Sequence, residues 1–144
     1  MEVLRLSIPP LPRYAGTART ALYNFAGVHA VRPIDLENLI FALGEALANA
    51  IQHAGTVEAI EITAHVSGDS IVVRVADRGC GIAAPPQGTV SFPSVFAEEG
   101  RGFAIMQRCT DFLEVDSQPG DGTVVTLGRY RRPGQGAGHR IVKR

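Results

Sequence analysis

The chain has 144 residues, 45% of them hydrophobic and 19% charged, which fits one soluble globular domain able to bury its own core. Its 14 Lys and Arg balance 14 Asp and Glu, so no overall field draws it to nucleic acid or to a membrane surface. Cys80 and Cys109 form neither a CxxC nor a metal-type cluster; one disulfide is open on count alone, and two reduced thiols in a cytoplasmic protein are the expectation.

Val3 to Ile8 alternates, with Leu4, Leu6 and Ile8 on one side, and predicts a half-buried strand stopped by Pro9, Pro10 and Pro12. The first twelve residues hold no apolar run of signal-peptide length, and nothing in the chain reads as a membrane span. Tyr14 to Val28 reads as a helix with Ala18, Leu22, Phe25 and Ala26 on its apolar side. A second helix follows Pro33, with Asp35 as its N-cap, and runs to about His53. Leu36, Leu39, Ile40, Leu43, Leu47, Ala50 and Ile51 recur along it at helical spacing, and Ala54-Gly55 supplies the stop.

Val57 to Val66 and Ser70 to Ala76, rich in Ile, Val and Thr, predict a hairpin closed by Ser-Gly-Asp. Ile82 to Glu99 carries Pro and Gly without a period and reads as a long loop. Gly102 to Asp111 returns to helix, and strands at Phe112 to Ser117 and Thr123 to Leu127 flank a Pro-Gly-Asp-Gly turn. The expected organisation is one domain over residues 1–130 and a basic, Gly-rich, disordered tail over 131–144. Helices set apart from a mainly antiparallel sheet predict an α+β two-layer sandwich, the mixed sheet covered by helices on one face.

Three places on this frame could carry chemistry. Glu45 and Asn49 lie one helical turn apart and therefore point the same way, away from Leu43 and Leu47. An Asn oxygen is a sensible single protein ligand for a magnesium ion that keeps waters and phosphates as its other ligands. A carboxylate beside it could take a proton from an attacking hydroxyl or water. The pair could equally be the solvated face of an amphipathic helix. Asp77 closes the apolar strand and heads Asp77-x-Gly79-x-Gly81, where an acid could accept from an exocyclic amine such as adenine's, or simply end the strand in a turn. Gly100-Arg101-Gly102 precedes a helix whose N-terminus suits phosphate, or forms a plain loop-to-helix hinge. No Walker loop or dinucleotide fingerprint is present. His53 ends its helix and reads as a C-terminal dipole partner or a packed ring, and His29, His65 and His139 lack ligand-like spacing, so zinc is not expected. The basic tail, with Tyr130 its one aromatic neighbour, lacks the interleaving of a nucleic-acid arm.

Taken in order, Glu45-x-x-x-Asn49-Ala-x-x-His53-Ala54, Asp77-x-Gly79-x-Gly81, Gly100-x-Gly102-Phe103-x-Ile105-Met106 and Gly122-Thr123 resemble the ATPase superfamily of gyrase, heat-shock chaperone, histidine kinase and mismatch-repair proteins. Within it, the chain is similar to the small bacterial anti-sigma factor serine/threonine kinases, from about Leu4 to Leu127. The resemblance implies a histidine-kinase-like ATPase fold, ATP and Mg2+ as cofactors, and a kinase that binds a sigma factor and phosphorylates an antagonist protein. It implies Glu45 as general base, Asn49 as magnesium ligand, Asp77 at the adenine amine with Thr123 assisting, and Gly79, Gly81, Gly100, Arg101 and Gly102 around the nucleotide. Relatives often dimerise through the sheet, so a homodimer is open; neither a membrane nor direct nucleic-acid binding is expected. Glu98-Glu99 stands where several relatives place a basic residue that can reach the γ-phosphate. That departure keeps open a non-catalytic, nucleotide-gated module that sequesters its partner, beside a detached histidine-kinase catalytic domain.

Overall fold

A computed structural model describes residues 2–53, 58–79, 100–118, 120–131 and 140–143, without the side chains of residues 53, 100, 101 and 140–143. The elements are β1 (Glu2–Ile8), a 3-10 turn (Pro12–Tyr14), α1 (Ala15–Val28), α2 (Pro33–His53), β2 (Ile60–Val66), β3 (Ser70–Asp77), α3 (Gly100–Arg108), β4 (Phe112–Gln118), β5 (Gly122–Tyr130) and β6 (Arg140–Lys143). The expected loop over 82–99, together with Cys80 and Gly81, lies outside the described residues.

Among the described residues the strands form one six-stranded sheet in the order β1-β2-β3-β5-β4-β6. Neighbours are antiparallel except for β4 and β6, which run parallel. Strand side chains alternate between faces. The inward set, including Ile8, Ile60, Ile62, Ile71, Val73, Val75, Leu113, Val115, Val125 and Leu127, is buried. It packs with Ala18, Leu22 and Ala26 of α1, Leu39, Leu43 and Leu47 of α2, and Met106 of α3 in one core. This is the α+β two-layer sandwich predicted, a mixed and mainly antiparallel sheet with its helices on one face. No helix among the described residues is long and apolar enough to cross a membrane.

Three local expectations shift. The second helix starts at Pro33, a residue whose fixed φ and missing N–H suit a first helical position. Asp35 therefore stands inside the first turn and not at the N-cap, and its carboxylate is taken up by arginines (below). The third helix spans Gly100–Arg108, beginning two residues early and ending before Cys109, which is a partly buried free thiol. The tail differs most. Arg131 donates its backbone N–H to Asp69 O at 2.8 Å and its guanidinium to Ser67 O at 2.6 Å and His29 O at 2.9 Å. Arg140–Lys143 pairs with Phe112–Val115 as β6. Glycine-rich, basic composition argues against a packed core, but the open edge of β4 offers backbone groups that any extended segment can satisfy.

Candidate functional site

The 3.6-residue repeat of α2 divides it into two faces. Leu36, Leu39, Leu43 and Leu47 are buried against the sheet, while Phe41 stays 59% exposed on the far side. Glu45 is half-buried, and Asn49, one turn on, is only 7% exposed. The Asn49 Nδ2 is fully buried and has no hydrogen-bond partner among the described residues. Buried side-chain amides are nearly always bonded, and an orphan points to a group that arrives from outside. A carboxamide can be turned over about its last bond. The orphaned position thus offers either N–H groups to an anion or Oδ1 to a cation.

What faces this pair is α3. A Cβ placed on Gly102 would come within 2.9 Å of Glu45 Oε2 and 4.0 Å of Asn49 Nδ2. The glycine lets the first turn of α3 lie directly on the Glu45–Asn49 step, so the first and third sequence motifs meet in space. Gly100 and Arg101 belong to the same turn, and the direction of the Arg101 side chain lies outside the described residues. A helix N-terminus carries unpaired N–H groups and the positive end of its dipole.

The second motif sits at the end of the sheet. Register pairs Val75 with Val125 and, two residues on, Asp77 with Thr123. Since Val75 and Val125 both face the core, Asp77 and Thr123 share the helix-covered face. Ser117 of β4 pairs with Thr123 from the other side, and their hydroxyls are 2.9 Å apart. Asp77, Thr123 and Ser117 thus form one row across three strands. Gly79 N–H donates to Asp77 Oδ1 at 3.0 Å, an Asx turn that bends the chain away as the strand ends. Gly122 has φ +90°, and a Cβ there would overlap the Asp77 carbonyl, so only glycine lets β5 begin level with Asp77.

Six of the predicted residues are therefore placed with their side chains or close contacts described: Glu45, Asn49 and Gly102 in one group, Asp77 and Thr123 in another, and Gly79 on the adjoining turn. Gly81 lies outside the described residues. Ser117 was missed. Strand alternation alone puts it beside Thr123 once the β4–β5 hairpin register is fixed, but a Ser near a strand's end carries no signal by itself. Among the described residues no group of three or more His, Cys, Asp or Glu gathers as a metal site. A cation here would take most of its ligands from a bound phosphate chain and water.

The Cys109 thiol, just beyond α3, is pushed up by burial; Arg129 draws it down and Glu45 pushes it further up.

Comparison with known proteins is consistent across sequence and structure. The histidine kinase-like ATPase domain family matches residues 8–129. An anti-sigma F factor of Thermoanaerobacter sp. is 34% identical over 118 residues, covering 78% of this chain and 82% of that protein. A serine-protein kinase RsbW of Bacillus pumilus is 28% identical over 142 residues, covering 90% and 86%. The RsbU and RsbW domains of a Mycobacterium tuberculosis protein superpose with a TM-score of 0.70 at 20% identity, covering 92% of this chain and 34% of that one. At that identity the last match speaks for the fold alone.

Proposed function

The chain belongs to the histidine kinase-like ATPase family and, within it, to the anti-sigma factor serine/threonine kinases, and from that premise we propose that it transfers the γ-phosphate of ATP to a serine or threonine of an antagonist protein. The observation that carries the site is the buried Asn49 amide, without a partner among the described residues, beside Glu45 and beneath Gly102.

In this reading the Asp77 carboxylate accepts a hydrogen bond from the adenine amine, with Thr123 and Ser117 beside it fixing the orientation. Gly79 and Gly81 give the base room, and the first turn of α3, Gly100 to Gly102, faces the phosphates. Asn49 fits magnesium: its orphaned amide can present Oδ1, and the phosphates complete an oxygen shell. Bound there, the ion neutralises charge on the phosphate chain. Glu45 takes the proton from the substrate hydroxyl as that oxygen bonds to the γ-phosphorus and the bond to the bridging oxygen breaks, releasing ADP. The domain is proposed to span residues 1–130, with Arg140–Lys143 adding a strand to its sheet edge. A sigma factor as second partner, a homodimer and a cytoplasmic setting complete the proposal.

The test begins with nucleotide binding. Magnesium-ATP at a hundred times its Kd should stabilise the folded protein by about 2.7 kcal/mol, read as a rise in Tm. Asn49→Ala should lose the magnesium-dependent part of that rise, and Asp77→Asn most of the whole. Label transfer from γ-labelled ATP to an antagonist protein should then fall by about 10²–10⁴ in Glu45→Ala while ATP still binds. Equal transfer by Glu45→Ala removes the base assignment. Glu98-Glu99 favours a second reading, a nucleotide-gated module that holds its partner without phosphorylating it. ATP-dependent stabilisation with no label transfer by the wild type would select that one. Acid-stable product label separates both from a detached histidine kinase.

A further inference from the structure

At the opposite end of α2 from Asn49 lies a buried ionic junction that no part of the mechanism uses. Asp35 is 1% exposed. Its Oδ1 accepts from Arg129 Nε at 3.1 Å and Nη2 at 2.9 Å, and its Oδ2 accepts from Arg32 Nε at 2.8 Å. Arg32 is the neighbouring support, held protonated more firmly by its hydrogen bond to Asp35. Arg129 belongs to β5 and is itself braced by the sheet. Its Nε lies 3.9 Å from Asp111 Oδ2, which accepts the Tyr130 N–H at 2.7 Å, while the Asp111 N–H donates to Gly128 O at 2.8 Å. The junction therefore joins the helix layer to the sheet through one forked contact.

Its distance from the site is matched along both elements. From residue 35 to residue 49, α2 rises about 21 Å at 1.5 Å per residue. From residue 129 back to residue 123, β5 spans about 20 Å at 3.4 Å per residue. α2 packs on both β3 and β5, the strands that carry Asp77 and Thr123, so fixing Asp35 against Arg129 restricts how Asn49 can shift relative to them. The apolar contact between the layers cannot do this alone. Leu39, Leu43 and Leu47 repeat at one-turn intervals, so a helix displaced along its axis meets the sheet with a similar apolar face. A buried ion pair adds little net stability over an apolar pair of the same volume, but its hydrogen bonds are directional.

We infer that Arg129, through its forked contact with Asp35, is a positioning residue that fixes where α2 sits along the sheet and thereby places Glu45 and Asn49 opposite Asp77 and Thr123. The functional half of this inference rests on the proposed nucleotide site; the placement of α2 does not.

The test uses the full chain with Arg129→Met, Asp35→Asn, the double variant and Arg129→Lys, each assayed well below its own Tm. ATP affinity is measured with magnesium and in EDTA. Wild type should bind ATP more tightly with magnesium, and Arg129→Met should lose about tenfold or more of that gain, the scale of a small misplacement at a reacting site. In the double variant no underpaired carboxylate remains buried, so Tm should recover relative to Arg129→Met while the magnesium gain does not. Arg129→Lys keeps the charge without the fork and should fall between, and it answers the question if the other variants fail to fold. A magnesium gain that survives in Arg129→Met, or that returns together with Tm in the double variant, overturns the inference and leaves a merely structural pair. NMR supplies a readout free of nucleotide. The Asn49 side-chain amide and the Gly102 N–H should shift in Arg129→Met or Arg129→Lys, while β1 and β2 amides hold still. An unmoved Asn49 signal also overturns it. If wild type binds no ATP, the nucleotide reading fails by itself, and the NMR arm alone decides the placement.

Discussion

Gly102→Ala separates the chemistry of the site from the stability of the fold. The added Cβ would sit 2.9 Å from Glu45 Oε2, where ordinary contact begins at 3.4 Å, so the carboxylate must retreat by about 0.5 Å. Its Cδ at 3.8 Å and the Asn49 Nδ2 at 4.0 Å are already at contact distance and need not move. The φ of Gly102 is not in the left-handed region, so alanine suits the backbone and gains roughly 0.5–1 kcal/mol of helix propensity. Moving Glu45 off its rotamer costs about 0.5–1.5 kcal/mol, which nearly cancels that gain. Tm should therefore stay within roughly 3 °C of wild type. Phosphoryl transfer is another matter, since a base displaced by a fraction of an ångström loses its line to the hydroxyl. Single-turnover transfer from γ-labelled ATP to an antagonist protein should drop about 10–100-fold, with magnesium-ATP affinity nearly unchanged. An unchanged transfer rate in a variant of unchanged stability would mean that Glu45 does not act from this position. A parallel loss of ATP affinity would mean that the added methyl disturbs the phosphates faced by this turn, and that the loss of transfer does not report on Glu45 alone.

Two further outcomes follow from the same coordinates. Gly122→Ala forces a side chain onto φ +90° and onto the Asp77 carbonyl, so thermal unfolding should show a loss of about 1–3 kcal/mol or more, together with weaker ATP binding because Thr123 leaves its level. Cys109, raised by burial, should alkylate with iodoacetamide more slowly in the native protein than in urea at pH 8, measured with Cys80→Ser so that one thiol reports. The sign is that of an acid whose neutral form the fold prefers. Its contribution to stability is full below the unfolded value of about 8.5 and is lost as pH rises through the higher native value. Equal alkylation rates would place the thiol in solvent.

Local pattern made most of the fold legible. Alternation at Leu4, Leu6 and Ile8 and the helical repeat from Leu36 to Ala50 depend on neighbours a few residues away, and both survive into the structure as a strand edge and a core-facing helix. What local pattern could not carry was pairing across the chain. Asp35 has the residue type and the position of an N-cap, and nothing nearby indicates that its partner is Arg129, brought to it across ninety-four positions by the return of β5. Arg140–Lys143 failed to read as a strand for the same reason. Its backbone groups find the edge of β4 only once that edge exists.

The site follows the same division. Glu45 and Asn49 were visible because a single helix turn fixes their relation, and the order of the motifs then supplied a role. Ser117 and the level of Thr123 depend on the β4–β5 register, which is set by the turn before Gly122 and not by either residue. The missing step is thus one of long-range placement: two locally legible fragments, a helix turn and a strand end, must be held on the same face at the same height. Gly102 holds the helix fragment against α3, Gly122 holds the strand fragment against Asp77, and the Asp35–Arg129 contact is the one buried ion pair among the described residues that joins α2 to β5. The two glycines act within their own fragments, whereas a substitution at Asp35 or Arg129 should leave each fragment in its local conformation while moving one relative to the other. That separates the ion pair from Asn49, whose replacement would remove the proposed metal ligand without shifting either fragment.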